Sequence, residues 1–344
     1  MCIRDHLASI ALAAALALPA AAGAGNAPPP APQRYFVTAV GSAGTMAQAI
    51  NNAGTVAGNA LHSYAPDGSA IYRAFINDAY GTHQLGTLGG AGSFVTALND
   101  AGQVIGSSQT SSGDSRPFIY SGGTMTALAT FGNRRSGVNG INNSGYIVGF
   151  SYPPEDPDPN IDTGPRAVLY SPGGTIVTIG NLTFTNQYRS AADISEAGDI
   201  VGYSGPYGPG DAPHYPFLFD GVMTNLGGIG GDFSAATALN DRGQVVGYVS
   251  LPNQLYDRHA FLYADGVLTD LDGQASPSYS IANDINNLEQ VVGVSDVLGA
   301  FLYEGNGMLS LNTLIDPSGG WYLENAHSIN EIGQIAATGL KDGQ

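Results

Sequence analysis

The chain has 344 residues, a formal net charge of −17 and only 11% charged residues, together with 49 glycines and 20 prolines. This composition favours many short strands joined by tight turns over helices, which need periodic runs of Ala, Leu, Glu and Lys. Lys341 is the single lysine and the arginines are scattered, so the clustered basic surface needed to bind nucleic acid is missing. The negative charge fits an exported soluble protein, and divalent-cation binding is the alternative interpretation.

The N-terminal segment resembles an export signal. Residues 7–24 are apolar and end in an A-x-A pattern at 22–24, so we predict a signal peptide over residues 1–24. This predicts an exported protein, either secreted and extracellular or periplasmic. Residues 25–34 are proline-rich and predict an extended linker. No later apolar run is long enough for a transmembrane segment, and the lone Cys2 excludes an intramolecular disulfide.

The remaining chain, residues 35–344, is predicted to form a single domain in which one motif recurs seven times. The copies are INNAGTVAG (50–58), LNDAGQVIG (98–106), INNSGYIVG (141–149), ISEAGDIVG (194–202), LNDRGQVVG (239–247), INNLEQVVG (285–293) and INEIGQIAA (329–337). Asn-x-x-Gly between two strands fits a tight turn in which Asn caps the turn and Gly takes a positive φ. In the sixth copy Glu289 replaces that Gly, so a retained turn would carry about 1–2 kcal/mol of strain.

Each repeat reads as four strands, which we call A, B, C and D. Small residues on strand A and a period of 43 to 53 residues predict the blades of a β-propeller, in which the innermost strands are crowded. The predicted fold is therefore all-β: a seven-bladed β-propeller of four-stranded antiparallel blades. An N-terminal strand at 35–40 is expected to close the ring by pairing with the last blade. The last repeat lacks a strand C, so either the native C-terminus lies beyond Gln344, which we favour, or the N-terminal strand pairs directly with strand B. A linear solenoid is the rival architecture.

The repeats also resemble those of a known family. His259-Ala260-Phe261, together with QLGTLGGAGS (84–93) and NLGGIGGDFS (225–234), is similar to the repeat of bacterial extracellular HAF-repeat proteins. The likeness extends over about residues 35–340. It implies an extracellular repeat protein, and it implies no reaction or catalytic residue.

Candidate chemical groups are few. The equivalents of His259 in other repeats are Arg, Tyr or Gly, which favours a structural role for this residue. Asp193 and Asp284 each precede the motif Ile, where five other copies have Ala, Gly or Ser. Two carboxylates near a shared axis could bind a ligand or act as acid and base. The alternative is that each carboxylate accepts hydrogen bonds from the next blade.

The loops between strands B and C vary, whereas the A–B turns are uniform, and these two sets of connections lie on opposite faces of a propeller. Variable loops on a rigid scaffold are the usual seat of binding. Tyrosines of these loops and the adjoining strand ends could stack on sugar rings, and carboxylates of the third loop could bind a metal. The candidate ligand-binding tyrosines are Tyr203, Tyr207, Tyr215, Tyr248 and Tyr256, and the candidate metal ligands are Glu155, Asp156, Asp158 and Asp162.

These features predict a non-catalytic, monomeric binding propeller that uses its variable B–C loops. The expected partner is a polysaccharide or a surface protein, and no cofactor is evident beyond a candidate divalent cation. One alternative is a propeller hydrolase or lyase that acts on glycans through acidic residues near the channel. Another is a passive component of the cell envelope.

Overall fold

The computed structural model describes residues 8–14, 34–132, 135–154, 164–180, 187–206, 213–252, 257–273 and 278–343. Regular structure in these ranges is almost entirely antiparallel β-strand, and the helical elements described are two short 3₁₀ turns, Leu311–Thr313 and Pro317–Gly319. None of the helices in the described ranges has the length and apolar character needed to cross a bilayer.

Six blades are four-stranded meanders of consecutive chain, with the strands of each blade in the order A, B, C, D. The first two blades comprise β3 (Thr45–Ile50), β4 (Val56–Tyr64), β5 (Ala70–Asp78) and β6 (Gly81–Gln84), then β7 (Gly89–Leu98), β8 (Val104–Thr110), β9 (Ser115–Ser121) and β10 (Thr124–Ala127). The third and fourth comprise β11 (Ser136–Ile141), β12 (Ile147–Ser151), β13 (Arg166–Tyr170) and β14 (Ile176–Thr178), then β15 (Gln187–Ile194), β16 (Ile200–Pro206), β17 (Tyr215–Phe219) and β18 (Met223–Asn225). The fifth and sixth comprise β19 (Ser234–Leu239), β20 (Val245–Ser250), β21 (Arg258–Ala264) and β22 (Val267–Asp270), then β23 (Ser280–Ile285), β24 (Val291–Ser295), β25 (Gly299–Tyr303) and β26 (Met308–Ser310).

The predicted fold class needs correction at the ring closure. Six blades, not seven, are formed by complete repeats. The last repeat supplies two strands only, β27 (Trp321–Ile329) and β28 (Ile335–Lys341), because the described chain contains no strand C after them. Their sheet is completed by β1 (Ala8–Ala14) and β2 (Tyr35–Ala39), in the order β2-β1-β28-β27. We call this composite sheet the closing sheet.

The expected closing strand is therefore one of two N-terminal strands. β2 occupies the outer position, and β1 lies between it and β28, paired antiparallel with both. β1 belongs to the segment predicted as a signal peptide, and residues 25–33 of the predicted linker lie outside the described ranges. The start of β2 is fixed separately, because Arg34 forms a two-fold hydrogen-bonded ion pair with Glu304 at 2.6 and 2.8 Å.

The core lies between neighbouring sheets, where apolar side chains of one blade pack on those of the next. Five blades bury a phenylalanine from strand C completely, and burial of such a ring is worth roughly 1.5–3 kcal/mol. These residues are Phe75, Phe118, Phe217, Phe261 and Phe301. The same packing crosses the chain ends, where Ala336 of the closing sheet belongs to one cluster with Ala47, Val56 and Phe75. The two ends of the chain are thus joined through a continuous core.

A β-bulge at one shared position in strand A explains the last glycine of the motif. In each sheet the register of strand A shifts by one residue, for example between Ala47 and Ala49. The bulge brings the strand A backbone so close to strand B that a Cβ on Gly58 would collide with the carbonyl oxygen of Met46. Glycine meets the same obstacle in five further blades, so a residue without a side chain is required there.

The A–B turns have the predicted chemistry. In the first turn, the Asn51 side chain accepts hydrogen bonds from the amides of Ala53 and Thr55, and Gly54 has a φ of 76°. The sixth turn keeps this shape, since Glu289 has a φ of 64° and its amide donates to the carbonyl of Asn286. Glu289 is therefore a strained non-glycine residue, as one of the two predicted alternatives required.

Candidate functional site

The turns assemble a buried ring of amides around the axis. The Asn330 side chain donates to the carbonyl of Asn51 at 2.8 Å, and Asn51 donates to the carbonyl of Asn99 at 3.2 Å. Four more asparagines continue this pattern from sheet to sheet: Asn99, Asn142, Asn240 and Asn286. At the remaining position stands Ser195, whose carbonyl accepts from Asn142 but whose side chain has no amide to donate. We call these seven positions the buried ring.

The residues that follow the buried-ring positions form a second ring of hydrogen bonds, which has a bond between every pair of neighbouring sheets. The backbone N–H of Asn52 donates to the Asp100 carboxylate at 2.8 Å. The backbone N–H of Glu331 donates to the side-chain oxygen of Asn52 at 2.9 Å, which closes the ring. Each backbone N–H in between donates to a side-chain oxygen of the following sheet. We call this the mouth ring; its members are Asn52, Asp100, Asn143, Glu196, Asp241, Asn287 and Glu331. It was not predicted, although the residue after the motif Asn position is Asn, Asp or Glu in all seven copies.

The two rings line an axial cavity of about 310 Å³ at the A–B end of the propeller. The bulged residues of strand A also line it, including Asn139, Thr237 and His327. Because a bulge re-aims side chains, it explains how polar residues reach the axis from a strand whose other residues are buried. Several bridge adjacent sheets: Asn139 donates to the carbonyl of Ala191, and Thr237 to that of Ala282, both at 2.6 Å.

Asp193 and Asp284 both line this cavity, in equivalent positions of β15 and β23. Asp193 accepts hydrogen bonds from its neighbour Ile194 at 2.8 Å and from Leu239 of the next blade at 3.2 Å. Asp284 accepts from Ile285 at 2.8 Å and from Ile329 of the closing sheet at 2.9 Å. These are the inter-sheet bonds that the structural alternative anticipated, and their role towards a ligand stays a prediction.

The surroundings of these carboxylates favour their neutral forms. Burial, followed by the negative charge of Asp284, raises the pKa of Asp193 to about 7. Burial also raises the pKa of Asp284 to about 6. In the same cavity, burial lowers the pKa of His327 to about 4 and raises that of Glu331. Desolvation thus penalises every one of these charges, whatever its sign.

At the opposite end, where the B–C loops emerge, aromatic side chains converge from neighbouring blades. The rings of Tyr188 and Tyr203 are stacked, with centroids 5.7 Å apart and planes 14° apart. His214 contacts both rings, at 5.5 and 5.3 Å, and also Phe233 of the next blade at 5.8 Å. All four are half-buried. Gly205 permits this arrangement, because a Cβ there would collide with the carbonyl oxygen of Pro213.

The fifth blade extends this group. The guanidinium carbon of Arg258 lies 4.5 Å from the ring centroid of Tyr248, and Arg258 forms a β-bridge with Tyr279 of the following segment. Burial raises the pKa of Tyr203, and the neighbouring hydroxyls of Tyr188 and Tyr248 raise it further. We call the whole group the aromatic patch; it comprises Tyr188, Tyr203, His214, Phe233, Tyr248, Arg258 and Tyr279.

His259 has the hydrogen bonds of a structural residue, although they resemble a Ser-His-Asp arrangement. Its Nδ1 lies 2.7 Å from Asp270 Oδ2, and its Nε2 lies 2.8 Å from Ser278 Oγ. The exposed fractions of His259 and Ser278 are 2% and 4%, and the Ser278 hydroxyl also lies 3.4 Å from Asp272. A nucleophile must reach its substrate, so this buried network favours a role in joining the fifth and sixth blades.

The structure brings some predicted residues together and leaves others apart. Tyr203 and Tyr248 meet in the aromatic patch, on the opposite end from Asp193 and Asp284. Tyr215 begins β17, opposite Ser204. Six predicted residues lie outside the described ranges: Tyr207, Tyr256, Glu155, Asp156, Asp158 and Asp162. In the described part of the chain, no group of three or more His, Cys, Asp and Glu residues has an arrangement suited to a metal ion.

Sequence reasoning missed five members of the patch: Tyr188, His214, Phe233, Arg258 and Tyr279. Three of the tyrosines carried a signal, since Tyr203 and Tyr248 directly follow the motif glycine and Tyr188 lies six residues before the motif Ile194. The contacts of His214 and Arg258 depend on how successive blades meet, which the repeat pattern does not specify.

Comparisons with known proteins are consistent with a propeller. A family model described as "Protein of unknown function (DUF3466)" matches residues 180–344. No curated protein matches this chain. The resemblance to HAF-repeat proteins therefore remains a prediction.

Solved structures with a similar fold share little sequence with this chain. The β-propeller domain of the Trilobed protease from Pyrococcus furiosus, described as having an open velcro topology, has 9% identity and a TM-score of 0.51, covering 83% of this chain and 86% of that one. Pyrococcus horikoshii acylaminoacyl peptidase has 12% identity and a TM-score of 0.51, covering 77% and 45%. TolB from Acinetobacter baumannii has 12% identity and a TM-score of 0.47, covering 82% and 63%. This chain thus spans less than two thirds of the last two, and the likeness concerns the fold alone.

Proposed function

We propose that this protein is an exported, non-catalytic binding propeller whose ligand surface is the aromatic patch. The carrying observation is the stacked pair Tyr188 and Tyr203 beside Tyr248, with half-buried rings at the end from which the variable loops emerge. A polysaccharide is the ligand that this surface favours, because tyrosine rings stack on the apolar faces of sugars while their hydroxyls form hydrogen bonds. A surface protein is the other predicted class of partner.

The difference between the two ends of the propeller supports the aromatic patch as the ligand surface. The A–B end is occupied by two rings of hydrogen bonds between sheets, so most of its polar groups already have partners in the fold. The B–C end presents tyrosine rings that make contacts with one another but hold no repeated hydrogen-bond pattern. A rigid scaffold with one uniform end and one variable end is the usual arrangement of a binding module.

A second candidate is glycan hydrolysis or lysis through Asp193 and Asp284. The observation that favours it is their raised pKa, about 7 and about 6, since a carboxyl that is neutral near pH 7 can donate a proton. Against it, both side chains already accept two backbone hydrogen bonds. If this candidate holds, a glycan-degrading activity should fall strongly in Asp193→Asn; unchanged activity would remove that site.

The binding proposal is tested by glycan binding to the wild type and to Tyr203→Ala/Tyr248→Ala. We expect the double variant to lose at least about ten-fold in affinity, since two stacking rings are removed. The matched control is Tyr146→Ala, which removes a 40% exposed tyrosine from an A–B turn and should bind like the wild type. Equal losses in both variants, or a loss in neither, would contradict a binding surface at the B–C end.

A further inference from the structure

We infer that the aromatic patch selects neutral hexose polysaccharides and that Arg258 is its specificity-determining residue. This inference rests on the proposed function and adds the chemical class of the sugars that the patch binds. It is carried by the position of one guanidinium group, which stands among tyrosines rather than carboxylates.

Arg258 differs from the arginines that form ion pairs with a carboxylate. Arg34 and Arg242 each hold a carboxylate, Glu304 at 2.6 Å and Glu289 at 2.9 Å. In the described part of the chain, Arg258 has no carboxylate within ion-pair distance, and its guanidinium lies over the face of the Tyr248 ring. A half-buried guanidinium stacked in this way keeps the N–H donors along its edge for another acceptor.

The neighbourhood of Arg258 sets what that acceptor can be. Burial, and then the positive charge of Arg258, lower the pKa of His214, so the histidine is neutral at pH 7 and adds no second cation. The chain as a whole carries a net charge of −17, and Asp232 and Asp257 flank the patch along the chain. For a polymer with a charge on every sugar, the adjoining Asp232 and Asp257 oppose the attraction of this one guanidinium, because at physiological salt it is charges within about 8 Å that act strongly on one another.

A neutral sugar ring matches both features. The planar fork of an arginine can donate two parallel hydrogen bonds to adjacent hydroxyl oxygens, and the tyrosine rings can cover the C–H face of the same or the next sugar. Hydrogen bonds from a charged donor are roughly twice as strong as neutral ones, so loss of Arg258 should weaken binding about 10- to 100-fold.

The experiment measures binding by calorimetry of neutral oligomers of glucose, galactose and mannose, and of a polygalacturonate oligomer of equal length. The wild type should bind at least one neutral oligomer, and bind polygalacturonate at least ten-fold more weakly. Arg258→Gln should lose about 10- to 100-fold for the neutral oligomer. Arg258→Lys keeps the charge but not the fork, and should fall between. Arg242→Gln, at the other end of the molecule, should bind like the wild type.

The outcomes separate this inference from the proposal it extends. If polygalacturonate binds as tightly as any neutral oligomer, or if Arg258→Gln binds like the wild type, the inference is overturned while the binding surface stands. If Tyr203→Ala/Tyr248→Ala also binds like the wild type, the proposed function fails with it. If no oligomer binds, the inference is overturned and a surface protein is the partner left for the proposed function. Melting temperatures of both arginine variants show whether each is folded, and Arg258→Lys decides the case if Arg258→Gln does not fold.

Discussion

The side chain of Asn330 donates a hydrogen bond to the backbone carbonyl of Asn51 at 2.8 Å, across 279 residues of sequence. This bond joins the closing sheet to the first blade and makes the buried ring continuous across the two ends of the chain. Asn330 is buried and its amide also donates to Gln334 at 2.8 Å, so its removal would leave polar groups without partners. Substitution of Asn330 therefore measures how much this closing hydrogen bond contributes to the free energy of unfolding.

We expect Asn330→Ala to lower the free energy of unfolding by about 1–3 kcal/mol, the usual cost of an unsatisfied buried acceptor. Urea titration followed by circular dichroism measures the change. Asn52→Ala is the control, since Asn52 is exposed and belongs to the mouth ring; its effect should be smaller. An equal or larger effect of Asn52→Ala would mean that the buried ring is not the main polar link.

Ser195 is the position at which the buried ring lacks an amide. We expect Ser195→Asn to stabilise the protein by about 0.5–1.5 kcal/mol if its amide reaches the carbonyl of Asn240, as each other asparagine reaches the next sheet. Thermal unfolding at fixed pH measures this gain. A loss of stability would show that the fourth and fifth blades approach differently at this position.

Glu289 holds a positive φ that glycine adopts without strain. Glu289→Gly should raise the free energy of unfolding by about 1 kcal/mol, because relief of the strain exceeds the loss of an exposed ion pair with Arg242. Arg242→Gln breaks the same ion pair without changing the backbone and should have almost no effect on stability. If Glu289→Gly is destabilising, the side chain itself must contribute more than this geometry indicates.

The raised pKa values of Asp193 and Asp284 predict that their contribution to stability is lost as the pH rises from about 4 towards neutral. A carboxyl whose folded pKa exceeds its unfolded value of about 3.9 favours folding below that value, and this contribution is lost as pH rises through the folded pKa. For these residues the loss extends up to pH values of about 6 and about 7. His327 acts in the opposite direction, since its pKa is lowered to about 4 and its effect extends from there through its ordinary value of 6.5.

The window from about pH 6.5 to 8 covers the upper part of the Asp193 titration, and the comparison with Asp193→Asn isolates this carboxyl because His327 titrates in both proteins. Urea midpoints should fall across this window in the wild type and fall less in Asp193→Asn, which cannot ionise. The slope is the readout, so a lower overall stability of the variant does not obscure it. Identical slopes in the two proteins would mean that Asp193 is already ionised at pH 6.5.

Local chemistry made much of this fold predictable. The Asn-x-x-Gly turns, the four-stranded antiparallel blade and the strain at Glu289 depend on contacts within one repeat, and the sequence of one repeat contains them. The closing sheet was not predictable in this way, because residues 8–14 read as part of an export signal and their pairing with β28 joins distant parts of the chain. The predicted arrangement of seven blades closed by one N-terminal strand failed at this point.

The candidate sites show the same distinction. Asp193 and Asp284 stood out because they replace small residues at one position of the motif, and both line the axial cavity. Arg258 and His214 carried no such signal, since their importance arises from contacts with tyrosines of other strands and blades. Repetition thus exposes departures from the pattern, whereas it hides contacts that form only when blades meet.

The central claim is that the aromatic patch, rather than the axial cavity, binds the ligand. A crystal structure of the protein grown with a bound neutral hexose oligomer tests it most directly. The account predicts a sugar ring within about 4 Å of the Tyr203 or Tyr248 ring, at the B–C end, with a hydroxyl facing Arg258. A sugar bound among Asp193, Asp284 and the mouth ring, with the patch empty, would contradict it.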